Sequence, residues 1–328
     1  MLDGSKDENE EIRILLGAGR SGTTWIHDAI CKANNLRAIF EPLKAVSRRV
    51  PNYEYRMLLR DDSYADLKEF LDSAFRGDFY SIWTDFRLLP SQFKISPHDV
   101  MSWERTKSKL WFYKLAFRRY FLFRENKRRT VPFVKLIRAN LMLDWLRVNF
   151  NARMGIIVRH PGAVIESQLR LGGEHWDPHK RLAIHRSDAN FIKVLGEKYK
   201  KYLKEDIPVL EALAVLWCID NQYVVERAEE LGVMVFFYEN LASGDSVEWE
   251  KITQYYKLKN VPEDFVRNRP SQQSWDAKSS EPAKLKWMDR LTKEQKQRVS
   301  AVLDDLKVEI YNMNSSEPLV GKSQIKRR

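Results

Sequence analysis

Short apolar runs alternate along this chain with longer stretches in which apolar residues recur every three or four positions. Runs of the first kind predict strands, and the second kind predicts amphipathic helices. Ile12 to Leu16 predicts a first strand, followed by a glycine-rich turn and a helix from about Thr23. Ala38 to Phe40 predicts a second strand ending at Glu41-Pro42, Pro132 to Leu136 a third, and Gly155 to Val158 a fourth. Val233 to Tyr238 predicts a fifth, after a helix closed by Gly232. Strands separated by helical crossovers predict an α/β fold of three αβα layers around a mainly parallel sheet.

The stretch 47–129 is too long for one crossover and carries helical periodicity, so it predicts a helical insertion. With no repeat and no linker rich in Pro, Gly and Ser, the chain reads as one domain over 12–312. A polar N-terminal tail (1–11) and a basic C-terminal tail (313–328) flank it. The longest apolar run, Val209 to Ile219, is interrupted by Glu211 and falls short of the roughly 18 residues that span a membrane. The N-terminus MLDGSKDENEE is acidic and lacks a signal-like apolar core. Two cysteines, Cys31 and Cys218, encode no disulfide framework, and these features together predict a cytoplasmic protein.

Composition adds one consideration. Lys plus Arg exceed Asp plus Glu, 56 to 45, for a formal charge of +11 over 328 residues. Such a balance suits an anionic ligand, an anionic membrane or nucleic acid, and charge alone does not choose between them.

The sharpest local signal is LLGAGRSGTTW, residues 15–25, between the first predicted strand and helix. Gly17, Gly19 and Gly22 let the backbone turn its N–H groups toward an anion. The helix N-terminus, Thr23, Thr24 and the forked charge of Arg20 add to them. The segment nearly fits GxxxxGK[ST], but Thr23 stands where the lysine of a triphosphate-binding loop belongs. A second anion site follows in IIVRHPGAVIESQLR, where Arg159 ends a strand, Pro161 opens a helix and Ser167 lies about two turns along it.

Together these segments resemble the sulfotransferases that use 3′-phosphoadenosine 5′-phosphosulfate (PAPS). Arg20-Ser21-Gly22-Thr23-Thr24 matches the family's [KR]SGTT loop for the 5′-phosphosulfate, and Arg159 with Ser167 matches its R-[DN]-P-x5-S motif for the 3′-phosphate. His160 replaces the usual Asp or Asn. Trp25 matches the aromatic that stacks on adenine in the cytosolic branch, with a core tryptophan as its other reading. FEPLKAV (Phe40 to Val46), VKLIR (Val134 to Arg138), FYENLA (Phe237 to Ala242) and the pair Trp287 and Leu291 extend the likeness across residues 12–291, closest to the carbohydrate branch. The resemblance implies cofactor contacts from Gly19, Arg20, Ser21, Gly22, Thr23, Thr24, Trp25, Arg159 and Ser167.

Sulfuryl transfer needs charge stabilised on the departing phosphate and a base for the acceptor hydroxyl. Arg20 and Lys135 are the candidates for the first role. Glu41 is the candidate base, as a glutamate in this segment is in the carbohydrate branch; its other reading is a strand-end carboxylate paired with an arginine. The aryl branch places a histidine where this chain has Ile137, which speaks against that mechanism. His27 and His98 are the remaining alternatives. His175, His179 and His185 cluster in sequence without convincing ligand spacing, so no metal is expected. The expected acceptor is a hydroxyl of a carbohydrate or glycolipid. The aromatic and basic run 111–129 reads as a core-facing helix or as an interfacial helix on anionic lipid. Oligomeric state is not encoded. The rival functions are a P-loop nucleotide kinase, against which Thr23 argues, and a non-catalytic nucleic-acid-binding protein, which the resemblance disfavours.

Overall fold

A computed structural model describes residues 11–44, 52–78, 124–129, 131–172, 177–261 and 285–319. Its centre is a five-stranded sheet: β1 (Ile12–Gly17), β2 (Arg37–Phe40), β3 (Pro132–Leu136), β4 (Ala152–Val158) and β5 (Met234–Phe237). All four pairings are parallel, in the order β2-β3-β1-β4-β5. The register sets Leu15 beside Lys135 and Phe40 beside Lys135 on its other flank. β3 thus lies between β1 and β2, which do not touch each other in the sheet.

Alternation along the strands builds two cores. Ile14, Leu16, Val134, Leu136, Met154, Ile156, Val158, Val235 and Phe237 face one side. That side is covered by α2 (Ala65–Arg76), α3 (Leu143–Asn149), α4 (Pro161–Leu171), α5 (Pro178–Ser187), α6 (Ala189–Tyr199) and α7 (Val209–Glu226). Leu15, Phe133, Ile157 and Phe236 face the other, under α1 (Thr23–Ala33) and, past the short α8 (Tyr238–Ala242), α9 (Ser246–Tyr255). The short α10 (Lys286–Arg290) and the longer α11 (Lys293–Asp305) pack on the larger core through Trp287, Val299 and Val302. A sheet apolar on both faces needs both covers, so the three-layer expectation holds.

Within the stretch read as an insertion, α2 sends Leu67, Leu71, Ala74 and Phe75 into the larger core, so this part is woven into the domain. Residues 79–123, including His98 and most of the aromatic and basic run, lie outside the described residues. After Gly172 the chain is described again from Asp177. From Pro178 it is helix α5, because Asp177 caps the helix through His179 N at 2.9 Å and Pro178 fits its first turn. Residues 310–319 fold back on the domain: Leu319 N donates to Ile310 O at 2.9 Å, and Met313 is buried. Among the described residues no helix is long and apolar enough to cross a membrane.

Candidate functional site

β1 leads to a helix on one face of the sheet, whereas its neighbours β3 and β4 lead to helices on the other. Chains diverging in this way open a crevice at the carboxyl edge of the sheet, where α/β proteins bind ligands. The predicted site residues come together around this crevice.

The turn between β1 and α1 is tightly closed. A Cβ on Gly17 would stand 2.6 Å from Thr23 Cγ2 and 3.0 Å from the Ile157 carbonyl, so only glycine fits against β4. Gly22 adopts φ +85 and precedes the helix, where a Cβ would meet the Tyr238 ring at 2.3 Å. No side chain caps α1 among the described residues, which leaves its first N–H groups facing the crevice. Gly19 keeps an ordinary negative φ; Arg20 takes the left-handed conformation instead, at φ 74. Ser21 is buried, and its hydroxyl donates to Ala18 O at 2.7 Å, holding the turn from within.

The turn between β4 and α4 lies directly against this loop. Arg20 Nε donates to Ser167 Oγ at 2.9 Å, and Arg159 Nη1 donates to the Arg20 carbonyl at 3.0 Å. Gln168 Nε2 adds a bond to Gly19 O at 3.1 Å. Burial, with Arg159 and Arg170 nearby, lowers the pKa of the Arg20 guanidinium below its ordinary value. His160 caps α4: its Nδ1 accepts from Gly162 N at 3.1 Å, so its Nε2 carries the proton and donates to Asn312 O at 2.9 Å. The substituted position thus keeps the acceptor that Asp or Asn would supply. Its ring stacks on Trp287 at 4.2 Å, and burial pushes its pKa down to about 4.

Lys135 stands near the carboxyl end of β3, between β1 and β2, and is 2% exposed. Its Nζ donates to Thr24 Oγ1 at 2.6 Å and to Glu41 Oε1 at 2.5 Å, and lies 4.1 Å from the Phe40 ring centre. Arg138 Nη1 approaches the second oxygen, Glu41 Oε2, at 3.3 Å. Glu41 has φ 43, and its N–H donates to Lys135 O at 2.9 Å. Burial raises its pKa, but Lys135 and Arg138 outweigh burial and hold it below the usual carboxylate range. Beside this group, burial and Arg138 bring Lys44 down to about 8.

Trp25 is partly buried, edge-on to Tyr238 at 6.3 Å and to Trp249 at 5.8 Å. Tyr238 was not singled out from sequence, yet its ring packs on Gly22 and lies 4.4 Å from the Arg159 guanidinium. Trp217, whose Nε1 donates to Arg159 O at 2.9 Å, and Gln168 were also missed. No motif marks these residues; the FYENLA segment was the only available signal for Tyr238.

The histidines divide differently. His27 is buried and its Nε2 donates to Phe133 O at 3.0 Å, fixing α1 to β3 from inside the smaller core. His185 is buried on α5 against Phe191. Among the described residues no group of His, Cys, Asp and Glu could hold a metal ion. Cys31 and Cys218 are buried free thiols.

No protein-family model and no curated protein matches the chain. Among solved structures it is similar to the sulfotransferase domain from the Synechococcus PCC 7002 olefin synthase, at 16% identity and a TM-score of 0.41, over 90% of this chain and 96% of that one. It is also similar to the sulfotransferase domain from the curacin biosynthetic pathway, at 14% identity and a TM-score of 0.40, over 91% and 98% respectively. At this distance the function rests on the residues of the site itself.

Proposed function

We propose that this chain is a PAPS-dependent sulfotransferase that acts on a hydroxyl of a carbohydrate or glycolipid, with Glu41 as general base. The observation that carries the reading is the contact between the two anion-binding turns, Arg20 with Ser167 and Arg159 with the Arg20 carbonyl. A nucleotide bearing a 5′-phosphosulfate and a 3′-phosphate needs two such turns side by side, whereas an ordinary triphosphate needs one and its lysine. The site suits the ligand: uncapped N–H groups at the start of α1, with Thr23, Thr24, Arg20, Arg159 and Ser167, form a set of donors.

In this mechanism the sulfur–oxygen bond to the 5′-phosphate breaks as a new one forms to the acceptor oxygen, and the acceptor proton passes to Glu41. Arg20 and Lys135 offset charge growing on the departing phosphate. Lys135 is suited to this role because it already bridges Thr24 of the loop and Glu41. The longer of the two Glu41 contacts, that of Oε2 with Arg138, leaves this oxygen the better proton acceptor. No metal takes part in the proposed reaction.

Thermal unfolding with 3′-phosphoadenosine 5′-phosphate (PAP), ADP and a random oligonucleotide tests the reading. PAP alone should stabilise without magnesium, by about 2.7 kcal/mol at a hundredfold excess over Kd. Equal stabilisation by ADP, or dependence on magnesium, would favour the kinase. Labelled PAPS offered to sugars, glycolipids and phenols then tests the acceptor, and transfer to phenols alone would remove the carbohydrate assignment.

A further inference from the structure

Arg181 on α5 and Asp220 on α7 form a buried ion pair with no part in the chemistry proposed above. Arg181 Nη2 donates to both Asp220 oxygens, at 2.9 and 2.8 Å, and each side chain is only 8% exposed. Taking two charges out of water offsets much of their attraction, so a pair of this kind is weak evidence of a device for stability. What lies against it is more informative. The Arg181 guanidinium sits 4.3 Å from the Tyr55 ring centre, and on Tyr55 the Arg138 guanidinium sits 5.9 Å from the same centre. Arg138 Nε donates to the Tyr55 hydroxyl at 3.2 Å and faces Glu54 Oε2 at 3.5 Å, while its Nη1 reaches Glu41.

Tyr55 is held in place at a cost. Its φ is 64, a left-handed conformation that a residue with a bulky side chain adopts only when its surroundings compel it. Those surroundings are explicit. Tyr55 N donates to Arg138 O at 2.9 Å, Met57 N to Asp188 Oδ2 at 2.7 Å, and Leu58 N to Leu141 O at 3.1 Å. The turn after β3 is fixed to the same helix as Asp220, because Asn140 Nδ2 donates to the Asp220 carbonyl at 2.6 Å. A chain of contacts therefore runs from α7 through Arg181, Tyr55 and Arg138 to Glu41.

We propose that Tyr55 is a positioning residue, held by Arg181 so that its ring and hydroxyl keep Arg138 on the Glu41 oxygen that Lys135 does not engage. The inference rests on Glu41 as the candidate base and adds the device that sets its ionisation. The charged groups around Glu41 are Lys135 from β3, Arg138 from the following turn and Lys44 from its own segment, with Glu54 on the far side of Arg138. Of these, Arg138 is the one whose guanidinium Tyr55 touches directly.

The test follows the Glu41 carboxyl itself, by carbon NMR of glutamate-labelled protein with the resonance assigned through Glu41→Gln. Tyr55→Leu removes ring and hydroxyl, so Arg138 loosens and the Glu41 midpoint should rise by about one pH unit, the lower end of what one adjacent charge contributes. Tyr55→Phe keeps the ring and should give a smaller rise; if Tyr55→Leu does not fold, this variant decides alone. An unmoved midpoint in folded Tyr55→Phe and Tyr55→Leu protein overturns the proposal. The readout needs no turnover, so a rise in a protein that neither binds PAP nor uses PAPS would sustain the positioning role while removing the sulfotransferase reading.

Discussion

Arg20 Nε donates to Ser167 Oγ at 2.9 Å across 147 positions of sequence, and in doing so joins the two turns that form the candidate nucleotide site. If both side chains serve one ligand, their contributions should be coupled. In a double-mutant cycle, Arg20→Ala and Ser167→Ala should each weaken PAP binding, and the double variant should lose less than the sum by about 0.5 kcal/mol or more. Isothermal titration with PAP gives the four affinities. Strict additivity would separate the two turns energetically.

Arg159 holds the Arg20 carbonyl and lies over Tyr238. Because its proposed contact with the 3′-phosphate exists before and during transfer, Arg159→Ala should raise KM for PAPS tenfold or so while kcat falls less. Steady-state kinetics at saturating acceptor distinguishes the two. A fall confined to kcat would move Arg159 out of the binding role.

Glu41→Gln keeps size and hydrogen bonding but removes the proton acceptor. Activity should fall by about 10²–10⁴-fold, with PAP stabilisation unchanged. Lys135 and Arg138 hold the carboxylate below its usual range, so parent activity should decline only once the pH is lowered below the ordinary carboxylate range. The base must be ionised to act, so activity present above its folded pKa is lost as pH falls through it. A variant as active as the parent would return Glu41 to a structural ion pair.

Lys135 and Glu41 are buried together, so removing either charge takes from the other its shortest ion pair, although Arg138 still reaches Glu41. Lys135→Met should cost about 3–5 kcal/mol, and Lys135→Met with Glu41→Gln should recover much of that loss. Urea unfolding of the four proteins checks it. Full destabilisation in the double variant would mean that packing of the lysine stem, against Phe40 in particular, dominates.

His160 is held neutral in the fold, with a pKa near 4 against an ordinary value of 6.5. The unfolded chain therefore takes up the proton first, and the stability this residue confers is complete above about pH 6.5 and drains away toward pH 4. His160→Asn keeps a cap for α4 without the titration. Its unfolding midpoint in urea should fall less than that of the parent between pH 7 and pH 4.5, and parallel declines would assign the acid sensitivity elsewhere, with buried His185 the next candidate.

Local chemistry made much of this legible in the sequence. The β3 bounds, the start of α1 and the proline opening α4 were all readable, because strand runs and helix entries are short-range signals. Arg20, Glu41, Lys135 and Arg159 all lie at or just past the carboxyl ends of their strands, whereas His27 lies in the smaller core and His98 outside the described residues. The order of the strands was not readable: nothing local to Phe40 announces that its neighbour is Lys135, 95 positions away, and not a residue of β1. Arg181 shows the same limit. In sequence it is one basic residue among several, and only the packing of α5 on α7 makes it a buried partner of Asp220 and a support for Tyr55. The pattern of the chain reveals which residues can do chemistry, and the long-range contacts decide which of them meet.

Of the described strands β1 comes earliest in the chain, yet it lies at the middle of the sheet, flanked by β3 and β4. During synthesis residues 12–17 must wait for 132–136 and 152–158 before either edge is paired. A nascent chain stopped short of those strands carries an unprotected apolar ribbon and an open glycine turn, a species prone to stick to its neighbours. Ligand recognition therefore arrives late in biogenesis, and truncations ending before residue 158 should be recovered with chaperones and have no grip on nucleotide.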